Sequence, residues 1–306
     1  MRPPRRLAAV AALCASCVVL SVAVAPRASA QVAQPTLAKI ASTNPIAIGY
    51  REASVPFSYV DADGRVIGFS QDLCNKVIDA VKARTNRPQL QVRFVAVTAQ
   101  NRIPLVQNGT VDLECGVTTN LKAREKQVAF SYTFFVATTR LLTRRDSGIR
   151  DFPDLAGKTV LTNRGATSER ILRTMNEQKP MHMEILSAKD YAQGRAILES
   201  GRAVAYMMDD VLLAGTRTLT QHPDEWMLTG TPQSSEPYAL MMRNGDPAFR
   251  QLVNDTLGGL MKSGEIGALY TKWLERPIPP KGVNFRFPMT PQLRALYAAP
   301  NDHAFY

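Results

Sequence analysis

Histidine is scarce: there are three in 306 residues, His182, His222 and His303, and none is spaced with cysteines or acids as metal ligands are. The chain has no G-x-S-x-G nucleophile elbow, no G-x-x-x-x-G-K-[ST] phosphate loop and no G-x-G-x-x-G dinucleotide fingerprint. These absences count against a metalloenzyme, a hydrolase, an ATPase or a dehydrogenase, and no cofactor is expected. They leave open an acid/base enzyme, which needs only a carboxylate or two in a cleft. Beyond the first 30 residues no apolar run approaches membrane-spanning length. Lys and Arg outnumber Asp and Glu by 37 to 26, yet they are dispersed, without an aromatic-interleaved basic block. Nucleic acid is therefore a poor partner, and a mild positive field favours small anionic ligands.

What is present begins with a leader. Arg2, Arg5 and Arg6 precede an apolar run over residues 7–24, and Ala28, Ser29 and Ala30 form a small-residue cleavage site. Residues 1–30 read as a secretory signal peptide cut after Ala30. An uncleaved membrane anchor is the alternative, but Cys14, Ser16, Cys17 and Ser21 dilute the run. The leader carries four arginines and no acids, so cleavage lowers the net charge from +11 to +7 and leaves 276 of the 306 residues, enough for two lobes. Cys74 and Cys115 survive cleavage. In an oxidising compartment they could pair, or remain as two buried thiols.

The stretch 108–127, NGTVDLECGVTTNLKAREKQ, organises the rest. An Asn-Gly turn launches an apolar strand over residues 111–115, which reads as giving way at Gly116 to small polar residues and then to a basic helical segment with Arg124. Gly116 would let backbone approach a ligand, Thr118 and Thr119 offer hydroxyls, and Arg124 has the planar fork that suits a carboxylate. A solvated Arg on an ordinary connection is the plainer reading. The Asn108 sequon reads as a turn rather than a sugar site.

Around this stretch the pattern is α/β. A strand at 47–50 ends beside Arg51, a hairpin turns at Asp61 to Gly64, and Ser70 reads as the cap of a helix reaching Thr85, with Leu73, Val77, Ile78 and Val81 at helical spacing. Residues 90–97 alternate as a strand, and a short helix follows through Val106. Open, mostly parallel sheets hold ligands outside the carboxyl ends of their strands, which is where Arg51, Arg102 and residues 116–124 fall. Residues 131–143 are extended enough to leave one lobe and enter another. Further βα units occupy 159–208, and residues 237–242 cross back. The expected organisation is a first lobe from residues 31–137 plus 239–306 and a second from 138–238, with ligand in the cleft between them.

The phrases YREASVPFSY, TAQNRIPLVQNGTVDLECG, TTN followed by Arg124, FSYTFFVATTRLLT, GATSE, LESGRAVAYMMDD and RPIPP resemble the periplasmic solute-binding proteins of amino-acid ABC transporters, within them the glutamate/aspartate-binding branch. The resemblance spans about residues 36–302. It implies the type II periplasmic-binding-protein fold: two α/β lobes joined by two hinge crossings that close on an amino acid. It also implies delivery to the membrane permease subunits by a monomeric, periplasmic, non-enzymatic receptor. On this resemblance Arg124 grips the ligand α-carboxylate with Thr119 and Thr167. Asp209 takes the α-ammonium with the Val117 carbonyl, unless Asp209 is a plain helix N-cap, and Arg51 and Arg102 hold the side-chain carboxylate. Ala99 and Val117 stand where the branch has serine, and Tyr191 where it has histidine. Ala99 and Tyr191 lie near the side-chain end, so a neutral ligand such as glutamine or asparagine is the alternative, and a dehydratase-like enzyme a more distant one.

Overall fold

The computed structural model describes residues 34–43, 45–279 and 281–305. The leader and its cleavage site lie outside the described residues. Among those described, no helix is long and apolar enough to cross a membrane.

Nine strands form one connected sheet: β1 (Ile46–Tyr50), β2 (Val92–Ala96), β3 (Leu113–Thr119), β4 (Val128–Arg144), β5 (Thr159–Asn163), β6 (Glu184–Ala188), β7 (Ala205–Asp209), β8 (Trp226–Thr229) and β9 (Ser235–Arg243). Their order is β2-β1-β3-β9-β4-β7-β5-β6, with β8 on β4. Within the first lobe β2, β1 and β3 run parallel, and within the second so do β7, β5 and β6. The crossing β9 runs antiparallel to β3 of the first set, the crossing β4 antiparallel to β7 of the second, and the two are antiparallel to each other. Strand β4 is 17 residues long because it serves both lobes: residues 128–138 pair with β9, and Thr139 to Thr143 pair with β7. A small sheet of Ala53–Ser54, Ser58–Val60 and Val66–Ile67 flanks the first lobe.

Strand β3 extends to Thr119, so Gly116, Thr118 and Thr119 lie within a strand rather than a connection. The returning β9 is the cause, since it pairs Tyr238 with Thr119 and Ala239 with Thr118. A side chain at Gly116 would collide with the Glu114 carboxylate and sit 3.0 Å from Arg51 Cγ. The glycine thus makes room for the buried Glu114 carboxylate rather than for a ligand. The helix Phe69–Thr85 buries Leu73, Val77, Ile78 and Val81 as the spacing requires, but its cap position is Gly68. Ser70 sits inside it, where its hydroxyl donates to the Gly116 carbonyl at 2.7 Å.

Cys74 of this helix and Cys115 of β3 form a disulfide, with their Cα atoms 6.2 Å apart and 41 residues apart in sequence. Cross-linking a loop of this size restricts the unfolded chain. Removing the bridge by Cys74→Ala with Cys115→Ala is expected to cost about 2–4 kcal/mol. A urea midpoint unchanged from that of the oxidised protein would show that the bridge contributes nothing.

Beneath the crossings lies an aromatic cluster. Phe57 packs edge-on against Phe135 and Tyr238 at 4.9 and 5.4 Å, and Phe135 stacks on Tyr238 at 5.8 Å. Such pairs fix ring geometry as well as burying area. Their placement aims the Tyr238 hydroxyl at the second lobe.

Candidate ligand-binding site

The carboxyl ends of six strands, three parallel in each lobe, converge between the lobes. Arg51 follows β1, and its backbone N–H donates to Ser58 Oγ at 2.8 Å, tying the flanking hairpin to the site. Arg102 opens the helix Arg102–Gln107 after β2, and β3 supplies Val117 and Thr119. From the second lobe come Asn163 at the end of β5 and Thr167 at the N-terminus of the helix Thr167–Gln178. Tyr191 opens the helix Tyr191–Glu199, which Asp190 caps by accepting from Gln193 N at 2.9 Å. Asp209 ends β7. Arg51, Arg102, Val117, Thr119, Asn163, Thr167, Tyr191 and Asp209, with Ala99, Ala166 and Met208, line one small cavity between the lobes.

The cavity is closed over. A Cβ added at Gly165, in the second lobe, would lie 2.9 Å from Gln100 Cα and 3.0 Å from the Ala99 carbonyl oxygen in the first. Gly165 also has φ +77°, so glycine is required there for both backbone and approach.

Arg124 stands apart. It lines an adjoining crevice that shares Ala166 and Thr167 with the main cavity. Its Nη1 donates to the Thr119 carbonyl at 2.9 Å. The threonine hydroxyls are also engaged: Thr119 donates to Glu236 Oε2 at 2.6 Å and Thr118 to Glu114 Oε2 at 2.7 Å. Thr119 therefore does not hold a free donor hydroxyl toward the cavity, because β9 brings Glu236 beside it. The site thus gathers Arg51, Arg102, Val117, Thr119, Thr167, Tyr191 and Asp209 around one space, with Arg124 in the adjoining crevice.

Asp209 is the N-cap position of the helix Asp210–Leu219, yet its side chain makes no capping bond. Its Oδ2 instead accepts from the Tyr238 hydroxyl. Burial, and then Glu236, push the Asp209 carboxyl well above the usual carboxylate range. Burial, and then Arg124, push the Arg102 guanidinium down to about 9, while Glu114 opposes the shift. Burial also lowers Arg124, against Glu236 and Asp209. A guanidinium keeps its proton in proteins, so the strain on Arg102 is relieved by an anion rather than by deprotonation. Three buried donors on the cavity wall have no partner: Arg102 Nε, Thr167 Oγ1 and Asn163 Nδ2. Unpaired buried donors are costly, and their convergence marks a place for acceptor oxygens.

Sequence reading missed Asn163, Met208 and the buried Glu114, Glu236 and Tyr238. Asn163 carried a usable signal, since it ends a parallel strand just as Asp209 does. Glu114 and Glu236 did too, being acids in largely apolar strands. Among the described residues no three His, Cys, Asp or Glu gather as a metal site.

Comparison with known proteins agrees with this architecture. The chain is 51% identical over 275 residues to the glutamate/aspartate import solute-binding protein of Salmonella typhimurium, covering 90% of this chain and 91% of that one. It is 52% identical over 270 residues to the L-glutamate/L-aspartate-binding protein of Pseudomonas aeruginosa, covering 88% and 89%. Among solved structures, a mutant of ArgBP from T. maritima superposes with a TM-score of 0.69 at 25% identity, covering 78% of this chain and 98% of that one. Residues 46–276 match the bacterial extracellular solute-binding proteins, family 3. With two α/β lobes closed on a small polar cavity and that match over most of its length, the chain belongs to the bacterial extracellular solute-binding proteins, family 3.

Proposed function

We propose that this chain is the exported, periplasmic receptor of an ABC importer and binds L-glutamate and L-aspartate between its lobes for delivery to the membrane permease. The observation that carries the reading is the pairing, in one closed cavity, of guanidiniums without an anion and a carboxyl without a cation. Arg51 and Arg102 are buried together with the unpartnered Arg102 Nε, and Asp209 is held against its own ionisation. An acidic α-amino acid supplies both counter-charges. Its side-chain carboxylate meets Arg51 and Arg102, its α-carboxylate meets the Thr167 helix terminus, and its ammonium meets Asp209 with the Val117 carbonyl. Tyr191 covers the side-chain end, with Arg51 Cζ 5.9 Å from its ring centroid. Arg124 acts through the Thr119 carbonyl and its positive field rather than as a bidentate clamp in this closed form.

The names of the two relatives above point to the same ligands. Closure pivots on β4 and β9, with lobe boundaries near 137/138 and 238/239, and ligand bridging the lobes lets a permease tell loaded from empty receptor. The protein works as a monomer without nucleic acid. It is not an enzyme, because its one cavity carboxylate is taken up as a cation partner.

A thermal-shift screen tests the ligand class. L-Glutamate and L-aspartate should raise Tm in a concentration-dependent way, because a ligand that binds only the folded form stabilises it by mass action. The ligand should be recovered chemically unchanged after incubation. Larger shifts with glutamine or asparagine, or turnover of either acid, would contradict the reading.

A further inference from the structure

We propose that Asn163 is a specificity-determining ligand contact, and that Tyr206 is the residue that positions it. The inference rests on the acidic-ligand reading above and adds to it a reason why an amide side chain is refused.

Asn163 closes β5, is 1% exposed and lines the cavity. An amide side chain has one acceptor oxygen and one donor NH2. Here the two ends are in different situations. Oδ1 accepts from the Tyr206 hydroxyl at 2.5 Å, whereas Nδ2 is buried with no partner. Tyr206 is fully buried and cannot shift aside, because the helix Tyr191–Glu199 lies directly on it: a Cβ at Gly194 would meet the Tyr206 ring and hydroxyl. The Tyr206 ring lies 6.4 Å from that of Tyr191, which in turn faces Arg51. Asn163 therefore belongs to the end of the cavity assigned to the ligand side chain.

With Oδ1 held by Tyr206, the group Asn163 can offer to a ligand is its NH2. Arg51 and Arg102 are donors without acceptor capacity, so this end of the cavity presents three donors. A carboxylate, which only accepts, satisfies all of them. The NH2 of glutamine would set a donor against donors and leave buried groups unpaired, which is how a polar pocket rejects a near-isostere.

Calorimetric titration of the mature protein with L-glutamate and L-glutamine, alongside Asn163→Ala and Tyr206→Phe, tests this. Asn163→Ala should weaken glutamate by about 10- to 100-fold, as expected for loss of a hydrogen bond to a charged group, and weaken glutamine less. Tyr206→Phe keeps the amide but releases its oxygen to turn toward the ligand, so the glutamate-to-glutamine affinity ratio should fall about 10-fold, the worth of one hydrogen bond. The ligand-free Tm of each variant confirms folding, and if Asn163→Ala does not fold, Tyr206→Phe carries the test. Equal losses for both ligands, or an unchanged ratio in Tyr206→Phe, would mean a structural role only and overturn the inference. Failure of the wild-type protein to take glutamate would instead overturn the acidic-ligand reading, and this inference with it.

Discussion

Replacing Arg102 by methionine is expected to weaken L-glutamate by about 2–5 kcal/mol, the cost of stranding a buried carboxylate, and to weaken L-glutamine far less. Methionine retains most of the buried stem, so the change removes charge and donors with little loss of packing. The guanidinium it removes is 3% exposed, has an unpartnered Nε and is depressed by burial and by Arg124. Its charge is thus poorly compensated in the ligand-free protein and well compensated once an anion enters. The relevant readout is the ratio of the two affinities by titration calorimetry. Equal losses for glutamate and glutamine would remove Arg102 from the side-chain end of the cavity.

Asp209→Asn is expected to have two effects of opposite sign. In the ligand-free protein, burial and Glu236 raise the Asp209 carboxyl well above its ordinary value. A group whose folded-state pKa lies above its unfolded value contributes stability at low pH, and that contribution is lost as pH rises through the raised value. The amide carries no charge to bury and can still accept from Tyr238. Above that raised value, the ligand-free variant should therefore melt at the same temperature as wild type or higher. Ligand binding should fall by about 3–5 kcal/mol, because the ammonium would be buried without a counter-charge. The ligand-induced rise in Tm should disappear. Below the raised value, glutamate binding to wild type should release a proton, seen as a dependence of binding heat on buffer ionisation enthalpy, and the variant should release none. A variant that loses ligand-free stability but keeps its affinity would show Asp209 to be structural.

The two lobes were legible because local pattern and long-range pairing agree within them. The helical spacing of Leu73, Val77, Ile78 and Val81 reports a face that is in fact buried against β3. The rule that ligands lie beyond the carboxyl ends of parallel strands pointed to Arg51, Arg102 and residues 116–124, whereas Asp209 came from the resemblance. What stayed hidden depends on residues far apart in sequence. Nothing near Thr119 announces that Tyr238 will pair with it, prolong β3 and bring Glu236 to its hydroxyl. The Thr119 carbonyl accepts from Arg124, five residues on, which lines the adjoining crevice. The roles of Thr167, Val117 and Tyr191 came from resemblance rather than pattern, since a threonine at a helix start or a tyrosine in a helix has no spacing that names its ligand. Asn163 escaped because an amide at a strand end reads as a turn residue until its oxygen is seen to be occupied.

The most direct measurement of the central claim is isothermal titration of unfolded, ligand-stripped and refolded mature protein with L-glutamate, L-aspartate, L-glutamine and L-asparagine. Tight binding of the two acids with weak binding of the two amides is the expected result, because Arg51, Arg102 and the unpartnered Asn163 amide line the cavity together with a single carboxyl, Asp209. Preference for an amide, or no heat with any of the four, would contradict the account and show that Ala99 and Tyr191 have remade the pocket.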